Sequence, residues 1–357
     1  MKLGFFTFPV HPKNKDYRKS LKEDQETIIL ADQLGFNEAF IGEHVTDEYE
    51  RITSSLVFIS TLINQTKNIM LGTGTVNLPN SHPLTIASSI SMLDHMSNGR
   101  MILGIGPGSL ISDMEAFETL SKNRNEMFLE SISQILKIWK LNPPYQIKGK
   151  YWKISTKKTF DRNISIGTFS KPLQKPNPEI VCTSLSRNLN SIKSLSKLGW
   201  NLISSNFLQI ESLKFHNEGI IQGNRKRKLK NWRIARKIFV NQNKKIVEKY
   251  VYSKRSPYYM TLVQIMKKLK KYNKLDILKK NPNDKNENIS PEKLLKDLVI
   301  CGDEETVTEK ILDLRDKAGI FDTLTYVGID WQDPLLAKKS MELLGSKVIQ
   351  RVNKFLR

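Results

Sequence analysis

Eight short apolar segments alternate with helical stretches along this chain, and that alternation restricts the fold more than any other feature of the sequence. The segments are Leu3–Phe8, Glu38–Ile41, Ile69–Val76, Met101–Ile105, Ile180–Thr183, Leu202–Ser205, Ile234–Val240 and Leu324–Val327. After the first, Leu21, Ile28, Leu30, Ala31 and Leu34 recur at helical spacing and Gly35 closes the helix. Further helices run from Leu84 to Met96, from Arg124 to Trp139 and from Leu336 to Val348. Strand–helix alternation implies a parallel sheet, and eight units close it into a (β/α)8 TIM barrel of the α/β class. An open doubly wound sheet would need a dinucleotide loop after the first strand, where Pro9-Val10-His11-Pro12 stands instead.

At 357 residues the chain suits one such barrel domain, residues 1–357, with room for insertions. Two stretches break the alternation. Residues from about 141 to 178, after helix four, are rich in proline; residues from about 253 to 291, after strand seven, have a helical core (Met260 to Leu275) and a polar tail. In a barrel such insertions cover an active site or form a packing or dimer surface, and the sequence leaves both open.

The formal net charge of +21 raises nucleic acid as a partner. The lysines are scattered, however, and no aromatic residues interleave with the dense clusters Arg225–Lys228 and Lys267–Lys271. Solvated helix faces are the better reading, with neither nucleic acid nor membrane as partner. No apolar run approaches the roughly 20 residues of a membrane span, and a cytoplasmic location is expected. Cys182 and Cys301 each lie in an apolar stretch and read as buried thiols.

Barrel chemistry resides at the C-terminal ends of the strands. Those ends carry Gly42-Glu43-His44, Gly72-Thr73-Gly74-Thr75, Gly104-Ile105-Gly106-Pro107-Gly108, Ser184-Leu185-Ser186-Arg187 and Ser204-Ser205-Asn206. Glycine- and serine-rich ends of this kind suit a large flat ligand and its phosphate. His44 beside Glu43 could have its tautomer and proton affinity set for proton transfer. Ser184, Ser186 and Arg187 precede a helix and complement a dianion, although Ser186 or Asn188 could equally be an ordinary N-cap. His82 reads as structural, His95 as a cap of local carbonyls, and His11 and His216 as incidental. No histidine pair has metal-ligand spacing, so no metal site is expected.

Taken in order, several runs resemble the bacterial luciferase-like flavin-dependent monooxygenases, with the limonene 1,2-monooxygenase-like subgroup most similar. They include Gly42-Glu43-His44, Leu78-Pro79-x-x-His82-Pro83, Leu93-Asp94-His95-x-x-x-Gly99-Arg100 and Gly104-x-Gly106-Pro107-Gly108 with Asp113. Lys171-Pro172-Leu173-Gln174, Trp232-Arg233-x-Ala235-Arg236 and Asp330-Trp331 continue the series. The resemblance implies a (β/α)8 barrel, often dimeric, that takes reduced FMN from a separate flavin reductase. With O2 as co-substrate, a C4a-hydroperoxyflavin would then oxygenate a small, apolar organic molecule. By the same resemblance Gly74-Thr75 falls where the family often has a non-prolyl cis peptide under the flavin. His44 falls at the acid/base histidine, Gly106 at a position facing the flavin, and Ser184 to Arg187 at the phosphate turn. Pro107 stands where some relatives carry a basic residue, and Arg187 where a proline is frequent. The alternatives are a deazaflavin-dependent hydride-transfer oxidoreductase and a flavin-binding paralogue without catalysis.

Overall fold

The computed structural model describes residues 1–185, 187–224 and 230–356. The strands of its main sheet are β1 (Lys2–Thr7), β2 (Glu38–Ile41), β3 (Met70–Thr73), β4 (Met101–Gly106), β5 (Glu179–Ser184), β6 (Asn201–Ser204), β7 (Trp232–Val240) and β8 (Thr323–Val327). They hydrogen-bond in the order β7-β8-β1-β2-β3-β4-β5-β6, and β6 pairs again with β7, so the parallel sheet closes on itself. Each strand feeds a helix: α1 (Tyr17–Gln33), α2 (Ser55–Leu62), α3 (Pro83–Met96), α4 (Arg124–Lys140), α5 (Leu189–Leu198), α6 (Ile210–Gly223), α7 (Glu304–Ala318) and α8 (Pro334–Leu343). This is the (β/α)8 barrel expected from the alternation.

The helix starts follow from the sequence. Asp16, Ser54, Asn123, Asn188 and Asp303 each accept a hydrogen bond from the first turn of the helix behind them, satisfying an N–H that has no partner within the helix. Asn188, one of the two N-cap candidates, is therefore the cap of α5; Ser186 lies outside the described residues, as does the Arg225–Lys228 cluster. His82 caps α3 by accepting from the Leu84 N–H, as its structural reading anticipated. The two cysteines are buried and free. Among the described residues no helix is long and apolar enough to cross a membrane.

By compactness the chain divides into two units, one of Met1–Phe40, Glu48–Arg51 and Cys182–Arg357, the other of Ile41–Asp47 and Ile52–Val181. In the first, an ion pair occupies the inner face of the strands. Arg233 on β7 donates twice to Glu38 on β2, at 2.5 and 2.7 Å, with its guanidinium 5.2 Å from the centre of the Phe40 ring. Both partners are buried, and the two-pronged geometry is what such a pair requires to offset its desolvation. Residues 237–240 of β7 turn to a further partner, the Val299–Gly302 strand, which the sequence reading did not anticipate. The helical core placed at Met260 to Leu275 runs from Pro257 to Lys271, followed by a short turn at Leu275–Leu278.

That second insertion packs at the C-terminal side of the first unit's strands. Its Tyr258, Leu262, Ile265 and Leu278 share one apolar cluster with Phe207, Phe239 and Ile329, which follow or end β6, β7 and β8. The first insertion lies elsewhere. Its hairpin, Gln146–Lys148 with Lys153–Ser155, is held to α4 by Glu130, whose carboxylate accepts the N–H groups of Lys150, Tyr151 and Trp152. Gln174 then donates to the Asp94 carboxylate at 2.6 Å and to the carbonyl of Met101, the first residue of β4, at 2.8 Å. Gln174 thus packs at the N-terminal side of the second unit's strands, while Lys150 and Tyr151 at the hairpin tip reach Glu126 in the first turn of α4. Of the two readings left open for residues 141–178, the observed contacts are those of a packing surface on α3 and α4.

Candidate active-site residues

In the second unit, the expected third strand, Ile69–Val76, is broken. β3 ends at Thr73, the Gly74–Thr75 peptide is cis, and pairing resumes with Val76 and Asn77 against Ile105 and Gly106 of β4. Two glycines of β4 make this approach feasible. A Cβ on Gly104 would lie 1.8 Å from the Thr73 carbonyl oxygen, and one on Gly106 would lie 2.6 Å from Thr75 Oγ1. Thr75 thus lies flush on Gly106, and the structure brings Gly74, Thr75 and Gly106 together at the C-terminal ends of β3 and β4. The Thr73 hydroxyl, donating to the Gly104 carbonyl at 2.6 Å, ties the two strands just below.

His44 follows β2, half-buried, in a loop pinned from several sides. Its backbone N–H donates to Ile52 O at 3.0 Å. The Asp113 carboxylate accepts the N–H of Thr46 at 2.9 Å, its hydroxyl at 2.6 Å, and the N–H of Val45 at 3.3 Å. This assigns Asp113, noted in sequence only as part of a motif, the task of fixing the loop that carries His44. Glu43, next to His44 in the chain, is engaged by Ser55 and Asn77. Its carboxylate accepts the N–H and hydroxyl of Ser55, at 2.9 and 2.6 Å, and the N–H of Asn77 at 3.2 Å. Asp47 is one carboxylate near the imidazole, with ligand atoms of the two side chains within 4.8 Å of each other.

Arg124 is a residue the sequence reading passed over. From the first turn of α4 it donates to the Pro107 carbonyl, the Thr119 hydroxyl and Asn80 Oδ1, while its Nε is buried without a partner among the described residues. A guanidinium therefore stands at the end of β4 although Pro107 itself is not basic. Its distance in sequence from the strand concealed it.

In the first unit, Ser184 ends β5, buried, with its carbonyl accepting from the Ser205 N–H at 3.1 Å. Arg187 donates from Nε to Ser212 Oγ at 2.7 Å, and its Nη2 is buried with no partner among the described residues. A desolvated N–H pair at a strand end, beside a helix N-terminus, has the chemistry to receive a phosphate oxygen. Within its own unit each feature has a defined chemistry: the Thr75–Gly106 shelf suits a planar ring, and the buried guanidinium nitrogen of Arg187 suits a phosphate oxygen.

His11 and His216, read as incidental, are both fully buried and engaged. His216 Nδ1 lies 2.6 Å from Ser204 Oγ, which also accepts from Trp232 Nε1 at 2.8 Å. His11 sits between Asp330 at 2.7 Å and Asp24 at 3.3 Å, and Lys15 joins Glu23 at 2.5 Å to Asp330 at 2.6 Å. Burial alone would lower the His11 pKa, but the hydrogen bonds to Asp24 and Asp330 outweigh it and raise it to about 9. His11, Glu23 and Asp330 bring ligand atoms within 4.8 Å of one another. The Lys15 ammonium already occupies the place a cation would take between the carboxylates, so this is an ion network bracing the ends of β1 and β8 against α1. His95, expected to cap local carbonyls, lies 3.0 Å from the distant Lys171 carbonyl, within the N-terminal latch of Asp94 and Gln174.

The sequence matches the luciferase-like monooxygenase family over residues 1–320. The chain belongs to that family. Among luciferase-like relatives, it is 43% identical to 4-hydroxyprotoasukamycin monooxygenase of Streptomyces nodosus subsp. asukaensis over 111 residues. That match covers 31% of this chain and only 30% of the relative's length. It is 25% identical to 3,6-diketocamphane 1,6-monooxygenase of Pseudomonas putida, covering 99% of this chain and 98% of that one. The fold superimposes on the oxygenating constituent of 3,6-diketocamphane monooxygenase of P. putida, a structure in complex with FMN, with a TM-score of 0.86. There the identity is 24%, with 99% of this chain and 98% of that one covered.

Proposed function

We propose that this chain is the oxygenating component of a two-component, FMN-dependent monooxygenase, acting with a separate flavin reductase and as a homodimer. Reduced FMN would be held at the C-terminal ends of β3 and β4, where it would supply, with O2, the chemistry for placing one oxygen atom in a small organic substrate while the other leaves as water. The observation that carries the reading is the shelf made by Gly74, Thr75 and Gly106, where Thr75 Oγ1 closes so tightly on Gly106 that no side chain stands between them. FMN, when bound, supplies the oxygen-activating chemistry. The chain's own residues do the rest. Thr75 and Gly106 offer a flat backbone surface, and Arg187 with Ser184 offers donors to a phosphate. His44, held by the Asp113-anchored loop and with Asp47 nearby, moves a proton at an imidazole nitrogen. The aromatic cluster formed by the second insertion, with Phe207 and Phe239, keeps water from the strand ends of its unit.

The test is an anaerobic titration of the protein with reduced FMN, then mixing with oxygenated buffer while absorbance is recorded. A slowly decaying oxygenated-flavin spectrum, with a lifetime shortened in His44→Ala, is the expected result. Absence of reduced-FMN binding would sink the reading, and binding of a reduced deazaflavin instead would establish the hydride-transfer alternative.

A further inference from the structure

Lys237 is a buried lysine that the proposed mechanism leaves unused. It is 2% exposed, and its Nζ has no hydrogen-bond partner among the described residues. Its direction follows from strand register. Arg233 pairs with Thr323 and Ala235 with Thr325, and Arg233 reaches Glu38 across the inner face of the strands. Side chains alternate along a strand, so Lys237, two residues beyond Ala235, shares that inner face. It lies one residue past the end of the β7–β8 ladder, on the C-terminal side.

The charges around it do not balance. Glu50 is buried and acts on Lys237 electrostatically, but its Oε1 is already held by Lys268 of the second insertion at 2.7 Å. Burial pushes the Lys237 ammonium down to about 7, against the pull of Glu50. An ammonium kept desolvated without an acceptor is costly, and packing alone would be served better by an apolar side chain. On the same inner face Phe6 pairs with Val327, and beyond it Phe8 meets Phe207 edge-on at 5.9 Å. An unpaired donor on a strand face that also carries Phe6 and leads to Phe8 matches a molecule with an oxygen at one end and hydrocarbon behind it.

We infer that Lys237 anchors the substrate through an oxygen acceptor, a carbonyl or carboxylate, so that the substrate of the proposed monooxygenase is an oxygenated amphipath rather than a plain hydrocarbon. This rests on the monooxygenase reading for what happens to the molecule, but the anchor itself can be tested without flavin.

The experiment measures binding of octanoate, methyl hexyl ketone and octene to the flavin-free protein by calorimetry, for wild type and Lys237→Met. Wild type should favour one or both oxygenated probes over octene by roughly ten-fold or more, the margin of a charge-assisted hydrogen bond. Lys237→Met should erase the preference while its circular dichroism and its reduced-FMN binding stay at the wild-type level. Preference for octanoate identifies a carboxylate head, and preference for the ketone a neutral carbonyl. Equal binding of all three probes, no binding of any, or a preference that survives Lys237→Met would overturn the anchor. If the preference depends on Lys237 but wild type does not bind reduced FMN, the anchor stands and the flavin reading alone falls.

Discussion

Replacing Lys237 by methionine should make the protein more stable, although the substitution removes a charged residue from a strand. The ammonium falls from its ordinary 10.5 to about 7 because it is desolvated. A fall of about 3.5 at about 1.4 kcal/mol each means that folding the side chain costs about 5 kcal/mol at and below neutral pH. The sign follows from proton binding: the folded value lies below the unfolded one, so the unfolded chain holds more protons between about pH 7 and 10.5. Wild-type stability therefore rises with pH through that window, and the methionine variant lacks this contribution. Thermal and urea unfolding of both proteins at steps from pH 7 to 10 would read the difference directly. Every other titrating group is common to the two chains and cancels. The variant should melt roughly 5–10 °C higher at pH 7, and the gap should close by about 1.4 kcal/mol per pH unit as the pH climbs. A variant less stable than wild type at pH 7, or a gap indifferent to pH, would refute the claim that this lysine is unpaired.

Four further substitutions separate structural from chemical roles. His11→Asn should destabilise by about 3 kcal/mol below pH 6.5; because the folded His11 value is raised to about 9, the deficit should fade as pH rises through 9, as urea unfolding at pH 6 and 9.5 will show. Glu43→Ala strands the Ser55 and Asn77 N–H groups, which predicts a loss of about 1–3 kcal/mol with the His44 imidazole titrating as before by NMR; a displaced His44 titration would return Glu43 to the proton-transfer machinery. Gly106→Ala places a methyl 2.6 Å from Thr75 Oγ1 and should weaken reduced-FMN binding by roughly ten-fold or more. Adding Thr75→Ala leaves the nearest remaining atom at 3.5 Å and should recover much of the affinity in the same titration.

These residues also mark where the sequence is readable and where it is not. The eight barrel strands were legible, most with ends displaced by one or two residues, because each is a short, largely apolar segment that the sheet buries and that glycine or a cap punctuates. The exception, the third, is informative: by its residue pattern Thr73 to Val76 reads as uninterrupted strand, the irregularity at Gly74-Thr75 was implied by the family resemblance alone, and the fit of Thr75 against Gly106, some 30 residues on, gives it a physical basis. Motif strength proved a poor guide to chemistry. The run Leu93-Asp94-His95-x-x-x-Gly99-Arg100 marks the N-terminal side of the strands, where Asp94 holds Gln174 and Arg100 donates to the carbonyls of Ile63 and Ile69. It specifies folding rather than catalysis. The residues missed share a different property, in that their meaning depends on partners remote in sequence. His11 is held charged by Asp24 in α1 together with Asp330, 319 positions away, and Arg124 reaches Pro107 from the next helix. Lys237 was hidden by abundance: with 57 lysines and arginines in the chain, one more basic residue reads as a solvated surface. Yet Lys237 follows Arg236 inside β7, every residue of which is buried, and two adjacent cations in a buried strand cannot both be solvated. A charge run within a core strand is thus the sequence signal that a scattered basic composition conceals, and it points to the face of the barrel where a ligand's oxygen is wanted.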